Sequence, residues 1–445
     1  MDNKTNKIMI IGFSLNQQYD SKNYDKLLKK YNEIYYTETY KYFWKRNFFI
    51  LLKELYENIR RYKFRMDTKF FWVSFKYLKK KPFFSKAILI NPKTKHKIEN
   101  IKKAFNCTND IASLMSKDSF SYKINDVECS AYLLDSLQRF VPLFKIYNFK
   151  SPINFISTWI YIYNVITYLE WLDKFVKKNK IDAVLVNHEV YMESGFVSCY
   201  LKEKFNLDII HLSARSIDPF IVKPRKKWFK ETLEKKLSQS LLSKKIIEHK
   251  KNTWRTENAL YDIEDCSEKT FDKNFVAIIM HCFGDANNMH FENGVIFSSY
   301  FQWIRSTIEI AKSQKNINYI FRAHPDSFHK YAQDIRVFDY FFKNLNEKNI
   351  SFQKPGSYTQ LISQKKMPLF VTAKGNFSQE LAVAGIKSIT IDDTSAPNDC
   401  CKKMKSKKEY INWLTGQENL DDLRLSEKLK FKAKLNKKIY FELNN

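Results

Sequence analysis

Between Phe275 and Asp393 the chain alternates short apolar runs with helical patterns. This alternation constrains the fold more than any other feature. Phe275 to Met280 is an apolar run that breaks into His281-Cys282-Phe283-Gly284-Asp285. A helical pattern follows from Phe297 to Lys312, then a second run, Ile317 to Arg322, that ends in Ala323-His324-Pro325-Asp326. Leu369 to Thr372 leads into Ala373-Lys374-Gly375-Asn376, then a short helix pattern holding Ser378 and Glu380, then Lys387 to Ile391. Such alternation predicts βαβ units of a parallel sheet. His281, Asp285, His324, Lys374, Gly375 and Asn376 all stand just past the apolar runs. Open α/β sheets bind ligands outside the carboxyl ends of their strands, so this half is expected to be a Rossmann-like domain for a nucleotide or phosphate.

The earlier half repeats the pattern less regularly. Ile8 to Ser14 predicts a first strand, Ala87 to Pro92 a second, and Ile181 to Asn187 a third with His188 and Glu189 at its carboxyl end. A helix over Gly195–Phe205 and a strand over 207–211 complete the unit. Residues 23–85, rich in lysine, tyrosine and phenylalanine, have helical spacing and read as an insertion. The more economical account of their aromatics is a helical pair with its rings in the core. Residues 131–178 are mostly helical. Ile153 to Leu169 is the most apolar segment, yet Asn154, Ser157, Thr158, Asn164 and Thr167 interrupt it. It falls short of the ~20 apolar residues that span a bilayer. The expected division is 1–215, a basic helical linker 216–270, and 271–445 with terminal helices.

Composition enters where partners are concerned. Of the 445 residues, 76 are Lys or Arg and 48 Asp or Glu, giving a formal net charge of +28. That balance suits an anionic membrane surface or an acidic sugar-nucleotide. No zinc-finger or RNP pattern accompanies it, so nucleic acid is set aside. The seven cysteines show no CxxC pair, which points to reduced thiols and a cytoplasmic setting. Met1–Lys7 is polar, runs straight into an apolar stretch and lacks a signal-peptide pattern.

The pattern His281-x-Phe283-x-Asp285, Tyr300-x-x-Trp303, Arg322-x-His324-Pro325 and Thr372-x-x-Gly375 with Glu380 and Gly385 resembles bacterial surface-carbohydrate (capsule polysaccharide) glycosyltransferases. The resemblance covers roughly 270–395 and, more weakly, 180–215, where a strand ending in His188 precedes Tyr191. That family often carries lysine where Arg322 stands, and a second Gly or Thr where Asn376 and Phe377 stand. The resemblance implies an α/β GT-B fold of two Rossmann-like domains facing across a cleft, with helical insertions. It also implies an inverting transferase that needs no metal or other cofactor. The donor would be a nucleotide-sugar and the acceptor a glycan or glycolipid at the inner face of the cytoplasmic membrane.

Under that resemblance His324 and Arg322 would meet the diphosphate, where negative charge develops on the leaving group. His281, Lys374, Gly375, Asn376 and Ser378 would line the donor site, with backbone N–H groups approaching phosphate before a helix. Glu380 would accept the ribose hydroxyls, although a carboxylate in a first helical turn also complements the helix dipole. Asp285 would position donor or acceptor, or cap the segment after it. His188 and Glu189 are candidates for the base that deprotonates the acceptor hydroxyl; a strand-end histidine bonded to backbone is the equal alternative. No Asp-x-Asp pattern occurs, so no metal site is implied. A CDP-polyol phosphotransferase of teichoic-acid type shares the His-Pro segment, a sugar-nucleotide epimerase shares the architecture, and a non-catalytic basic membrane-binding protein shares only the charge.

Overall fold

The structure, a computed structural model, describes residues 6–11, 28–37, 43, 88–90, 97–114, 121–140, 152–186, 190–212, 220–221, 233–239, 275–285, 296–297, 299–324, 326–329, 334–354, 368–374, 377–391, 396–418 and 423–444. The chain divides into two compact units, Met1–Lys230 and Glu231–Asn445.

The first unit is built on strands β1 (Lys7–Ile11), β2 (Glu33–Thr37) and β3 (Ile88–Leu89). A short hairpin follows, β4 (Lys123–Ile124) and β5 (Val127–Glu128), then β6 (Ala183–Val186), β7 (Asp208–Leu212) and β8 (Phe220–Ile221). The sheet order is β3-β2-β1-β6-β7-β8. All its pairings are parallel except β7 with β8. β1 and β6 are buried almost throughout, as strands covered on both faces must be. The hairpin turns at Asn125 and Asp126, with φ of 50° and 69°. Both residue types tolerate the left-handed region that a two-residue hairpin demands.

Helix Pro152–Asn179 covers this sheet. Its Tyr161, Ile162, Val165, Tyr168, Leu169 and Leu172 belong to one buried cluster with Met9, Ile11, Val184 and Val186. The interrupting polar residues are inside as well, and Asn164 Nδ2 donates to the Phe43 carbonyl at 2.8 Å. Tyr168 Oη lies 3.2 Å from Thr37 Oγ1 on β2. The position of β2 corrects one expectation, because it falls inside the stretch 23–85 assigned to a helical insertion. Glu33-Ile34-Tyr35-Tyr36-Thr37 is a β-branched and aromatic run, but tyrosines and lysines at helical spacing on either side hide it. Apart from Phe43, residues 38–87 lie outside the described set.

The second unit is one fully parallel sheet of β9 (Phe275–Ile279), β10 (Asn318–Arg322), β11 (Ile350–Gln353), β12 (Leu369–Thr372), β13 (Ser388–Thr390) and β14 (Cys401–Lys403). Its order is β11-β10-β9-β12-β13-β14. Numbered within the unit this is 3-2-1-4-5-6, the doubly wound dinucleotide-fold order. The α/β organisation with two Rossmann-like sheets is the one that the GT-B resemblance implies. β11 and β14 are not legible in the sequence: the first, Ile-Ser-Phe-Gln, lacks the unbroken apolar run of β9 or β12, and the second reads Cys-Lys-Lys with no apolar alternation.

Helix Tyr300–Ser313 packs on this sheet because Tyr300, Trp303, Ile304, Thr307, Ile308 and Ala311 form one buried stripe at helical spacing. Ser299 caps it, its side chain accepting from the Gln302 N–H at 3.2 Å. Helix Phe377–Val383 ends in a Schellman turn: Ile386 N–H donates to Leu381 O at 2.9 Å and Gly385 N–H to Ala382 O at 3.1 Å. Gly385 has φ +88°, and a Cβ there would come within 2.3 Å of the Lys430 side chain. The glycine of the family pattern therefore has a structural duty.

Helix Lys407–Leu414 locks onto helix Tyr300–Ser313 and onto β10. Trp303 Nε1 donates to Tyr410 Oη at 2.8 Å, Thr307 Oγ1 lies 2.7 Å from the same oxygen, and Tyr319 Oη on β10 donates to Leu414 O at 2.6 Å. All three hydroxyl-bearing partners of this network are buried. Tyr410→Phe would leave the Trp303 N–H without its acceptor, at a cost of about 1–3 kcal/mol. A lowered urea midpoint with an unchanged m-value is the expected result. An unchanged midpoint would show that the network contributes nothing to stability.

Candidate functional site

β9 is the centre of the second sheet, paired with β10 on one side and β12 on the other. The strand order reverses here, and in open α/β sheets the carboxyl ends of the strands at such a point are where ligands bind. Because the sheet is fully parallel, the loops after β9, β10 and β12 lie on one edge. β10 and β12 are not neighbours, however. With β9 between them their ends are about 10 Å apart, two strand spacings.

His281 follows β9 and His324 follows β10, and their rings stack with centroids 4.9 Å apart at 21°. The hydrogen bonds fix which nitrogens carry protons. Asp326 N–H donates to His324 Nδ1 at 3.1 Å, and Cys282 N–H donates to His281 Nδ1 at 2.9 Å. Each Nδ1 is therefore an acceptor, and each neutral ring holds its proton on Nε2. The Cys282 thiol lies 3.2 Å from the same His324 Nδ1. Burial drives the Cys282 pKa far above the ordinary thiol value, so this sulfur stays protonated and is no nucleophile. Tyr300 holds the backbone beneath the pair: its hydroxyl accepts from His281 N–H at 2.5 Å and donates to His281 O at 3.0 Å.

One carboxylate holds the segments after β9 and β10 in place. Asp334 begins helix Asp334–Phe342 and is fully buried. Its oxygens accept from Phe283 N–H at 2.8 Å, Gly284 N–H at 2.9 Å and the Ser327 hydroxyl at 2.8 Å. The first two donors belong to the loop after β9 and the third to the short helix Asp326–His329 that follows β10. Burial pushes the Asp334 carboxyl up to about 7, against the opposing pull of these three donors, with the nearby Asp285 charge adding to the rise. Asp334 was not singled out from the sequence. A lone aspartate at a helix start looks like a cap, and nothing local shows that its partners lie fifty residues away. Tyr300 did carry a signal, since it opens the Tyr300-x-x-Trp303 pattern.

The remaining candidates are distributed as follows. Arg322 is buried, and its Nη2 donates to Gln353 Oε1 at 2.8 Å on β11, the side of β10 opposite β9. Asp285 is half-buried in the turn after β9, its N–H donating to Cys282 O at 3.4 Å. Lys374 is half-buried after β12, and its carbonyl accepts from Thr372 Oγ1 at 3.0 Å. Ser378 is buried in the first turn of helix Phe377–Val383, whereas Glu380 is exposed. Gly375 and Asn376 lie outside the described residues, as do His188 and Glu189 after β6. Among the described residues no group of three or more His, Cys, Asp or Glu could hold a metal ion.

No protein-family model matches the chain, and no curated protein matches it. Solved structures that show similarity include MurG from Acinetobacter baumannii, at 9% identity and a TM-score of 0.22 over 98% of this chain and 99% of that one, and a glycosyltransferase from Rickettsia africae ESF-5, at 11% and 0.23 over 99% of each. Superposition at that level establishes no equivalence of residues or sites.

Asp334 gives a pH signature. Its folded pKa lies above the unfolded value, so the folded chain binds the extra proton between about pH 4 and 7. Its contribution to stability is therefore full at low pH and lost as pH rises through about 7, by about 4 kcal/mol at most. Asp334→Asn removes that slope and sets an amide N–H₂ against one of the two backbone donors. The variant should be less stable than wild type by the widest margin near pH 5, with the gap narrowing towards pH 8. Denaturation midpoints across that range test it; a gap that widens with pH would mean the carboxylate is held ionised.

Proposed function

We propose that the chain is a glycosyltransferase that moves a sugar from a nucleotide-sugar donor to a bacterial surface glycan or glycolipid. The acceptor would be met at the inner face of the cytoplasmic membrane. One observation carries the reading: two stacked imidazoles, each with its proton on Nε2, stand at the carboxyl edge of a doubly wound sheet beside its switch point. Paired N–H donors in that position suit a diphosphate, whose charge grows as the sugar departs. The motif resemblance over 270–395 supports the same assignment.

In this scheme His324 meets the diphosphate and His281 supports it by stacking. Lys374, with the backbone of Gly375 and Asn376, neutralises the phosphates from the β12 side. Ser378 orders the start of the following helix, and exposed Glu380 receives the ribose hydroxyls. Buried Arg322 acts as a fixed positive charge behind the site. The acceptor hydroxyl loses its proton to His188, Glu189 or Asp285, with the reaction inverting the anomeric centre and needing no metal.

A thermal-shift panel of UDP, GDP, CMP, CDP and dTDP tests the donor site, since a ligand at ~100 times its dissociation constant adds about 2.7 kcal/mol. His324→Ala should lower kcat more than donor affinity, because the leaving charge exists only in the transition state. Glu380→Ala should mainly raise the nucleotide dissociation constant. If no nucleotide shifts the melting curve, or if both variants transfer sugar at the wild-type rate, the reading fails. Product analysis distinguishes the polyol-phosphate alternative, in which phosphate stays with the product and CMP is released.

A further inference from the structure

The second unit ends in helix Glu427–Asn444, which reads EKLKFKAKLNKKIYFELN. Six lysines against two glutamates leave four net positive charges on eighteen residues. The inner face is buried Ala433, Leu435, Asn436 and Ile439. On the outer face Lys428, Phe431 and Lys434 are exposed, spaced three apart and so aligned in one stripe. Phe431 keeps 46% of its surface in solvent. One exposed apolar residue is ordinary; a phenylalanine centred in a lysine stripe has a particular chemistry.

The basic face continues beyond the helix. Lys432 Nζ lies 2.7 Å from Asp399, and the Cys400 thiol donates to Leu429 O at 3.6 Å. The helix is thus seated beside the residues that lead into edge strand β14. β14 carries exposed Lys402 and Lys403, and exposed Lys405, Lys407 and Lys408 follow it. Lysines on an edge strand guard against unwanted strand pairing. That explains Lys402 and Lys403, but not an aromatic ring exposed between Lys428 and Lys434 on the helix.

We propose that this face docks on an anionic lipid bilayer, with Phe431 entering the acyl boundary while the surrounding lysines meet headgroup phosphates. The lysine stems lie along the apolar layer with their ammonium groups in the polar one. Clustered lysines near an anionic leaflet are attracted to it, an exposed ring among them adds an apolar anchor, and no described helix is long and apolar enough to cross a membrane. A polyanion without an apolar layer, such as nucleic acid, would use the lysines and have no place for Phe431.

Flotation of the full-length chain with phosphatidylglycerol-containing vesicles, against phosphatidylcholine alone, tests this without reference to the donor site. Each lysine near an anionic surface is worth roughly a fivefold change in partitioning. Lys428→Ala with Lys434→Ala should therefore weaken partitioning by about tenfold or more, and Phe431→Ser by about tenfold. Both should keep the wild-type denaturation midpoint, since all three side chains are exposed. The control pair Lys102→Ala and Lys103→Ala, exposed on the first unit, should partition like wild type. Three results would overturn the proposal: no flotation of the wild type; loss in the control pair equal to that in the helix pair; or wild-type partitioning by Phe431→Ser while the lysine pair loses binding. The last would reveal a purely electrostatic contact with headgroups, without entry of the ring into the acyl boundary.

Discussion

The second unit depends on β9 being buried on both faces and paired on both edges. Phe275-Val276-Ala277-Ile278-Ile279 offers no polar side chain, and none could be accommodated there without a partner. Chemistry is therefore displaced to the residues past the strand's end. The buried polar side chains of β10 and β12 meet partners, as Arg322 meets Gln353, and most titratable and hydrogen-bonding groups stand in the segments after the three strands. Hydrophobic burial fixes where the strands stop, and that decides where His281, His324 and Lys374 can stand.

Loops carrying such groups still have to be held, and buried polar residues do this. Asp334 loses hydration on burial, which raises its pKa, yet three donors from the segments after β9 and β10 offset part of that cost. The first unit uses a related arrangement at the equivalent edge. After β6 comes a π-helical turn, Tyr191–Phe196, whose first residue has φ +65°. Its Glu193 is fully buried, accepting from the Tyr161 hydroxyl at 3.1 Å and the Ser136 hydroxyl at 3.4 Å. Ser136 Oγ in turn accepts from the Met192 N–H at 2.8 Å. In both units a carboxylate out of water ties the segment after a central strand to helices packed elsewhere. π-turns and strained φ values concentrate where backbone must present groups to a ligand.

What was legible in the sequence follows from these facts. Strands such as β6 and β9 announce themselves because burial on both faces demands unbroken apolar runs. The stripe in Tyr300–Ser313 is legible because one buried helix face repeats at a fixed spacing. β2 was lost among tyrosines that suit a strand or a helix core equally, and β14 gains its place from neighbours, since Cys-Lys-Lys has no preference of its own. His281 and His324 were visible as polar residues past strand ends. Their stacking was not, because it depends on β9 and β10 being adjacent. Asp334 and Gln353 were invisible for the same reason: each acts across a distance that only the completed sheet closes.

Stacking and tautomer choice belong together. Two imidazoles 4.9 Å apart would repel if both were charged, and the repulsion grows where water is excluded. Donation from the Asp326 and Cys282 backbone N–H groups to each Nδ1 disfavours the doubly protonated ring, because that nitrogen then has no lone pair to accept with. The geometry thereby puts the ring proton of each neutral imidazole on Nε2. Positive charge is left to Lys374 and to Arg322, whose guanidinium is anchored on Gln353 away from the stacked rings. In the proposed donor site this would separate hydrogen-bond donors at the centre from fixed cations at the margin.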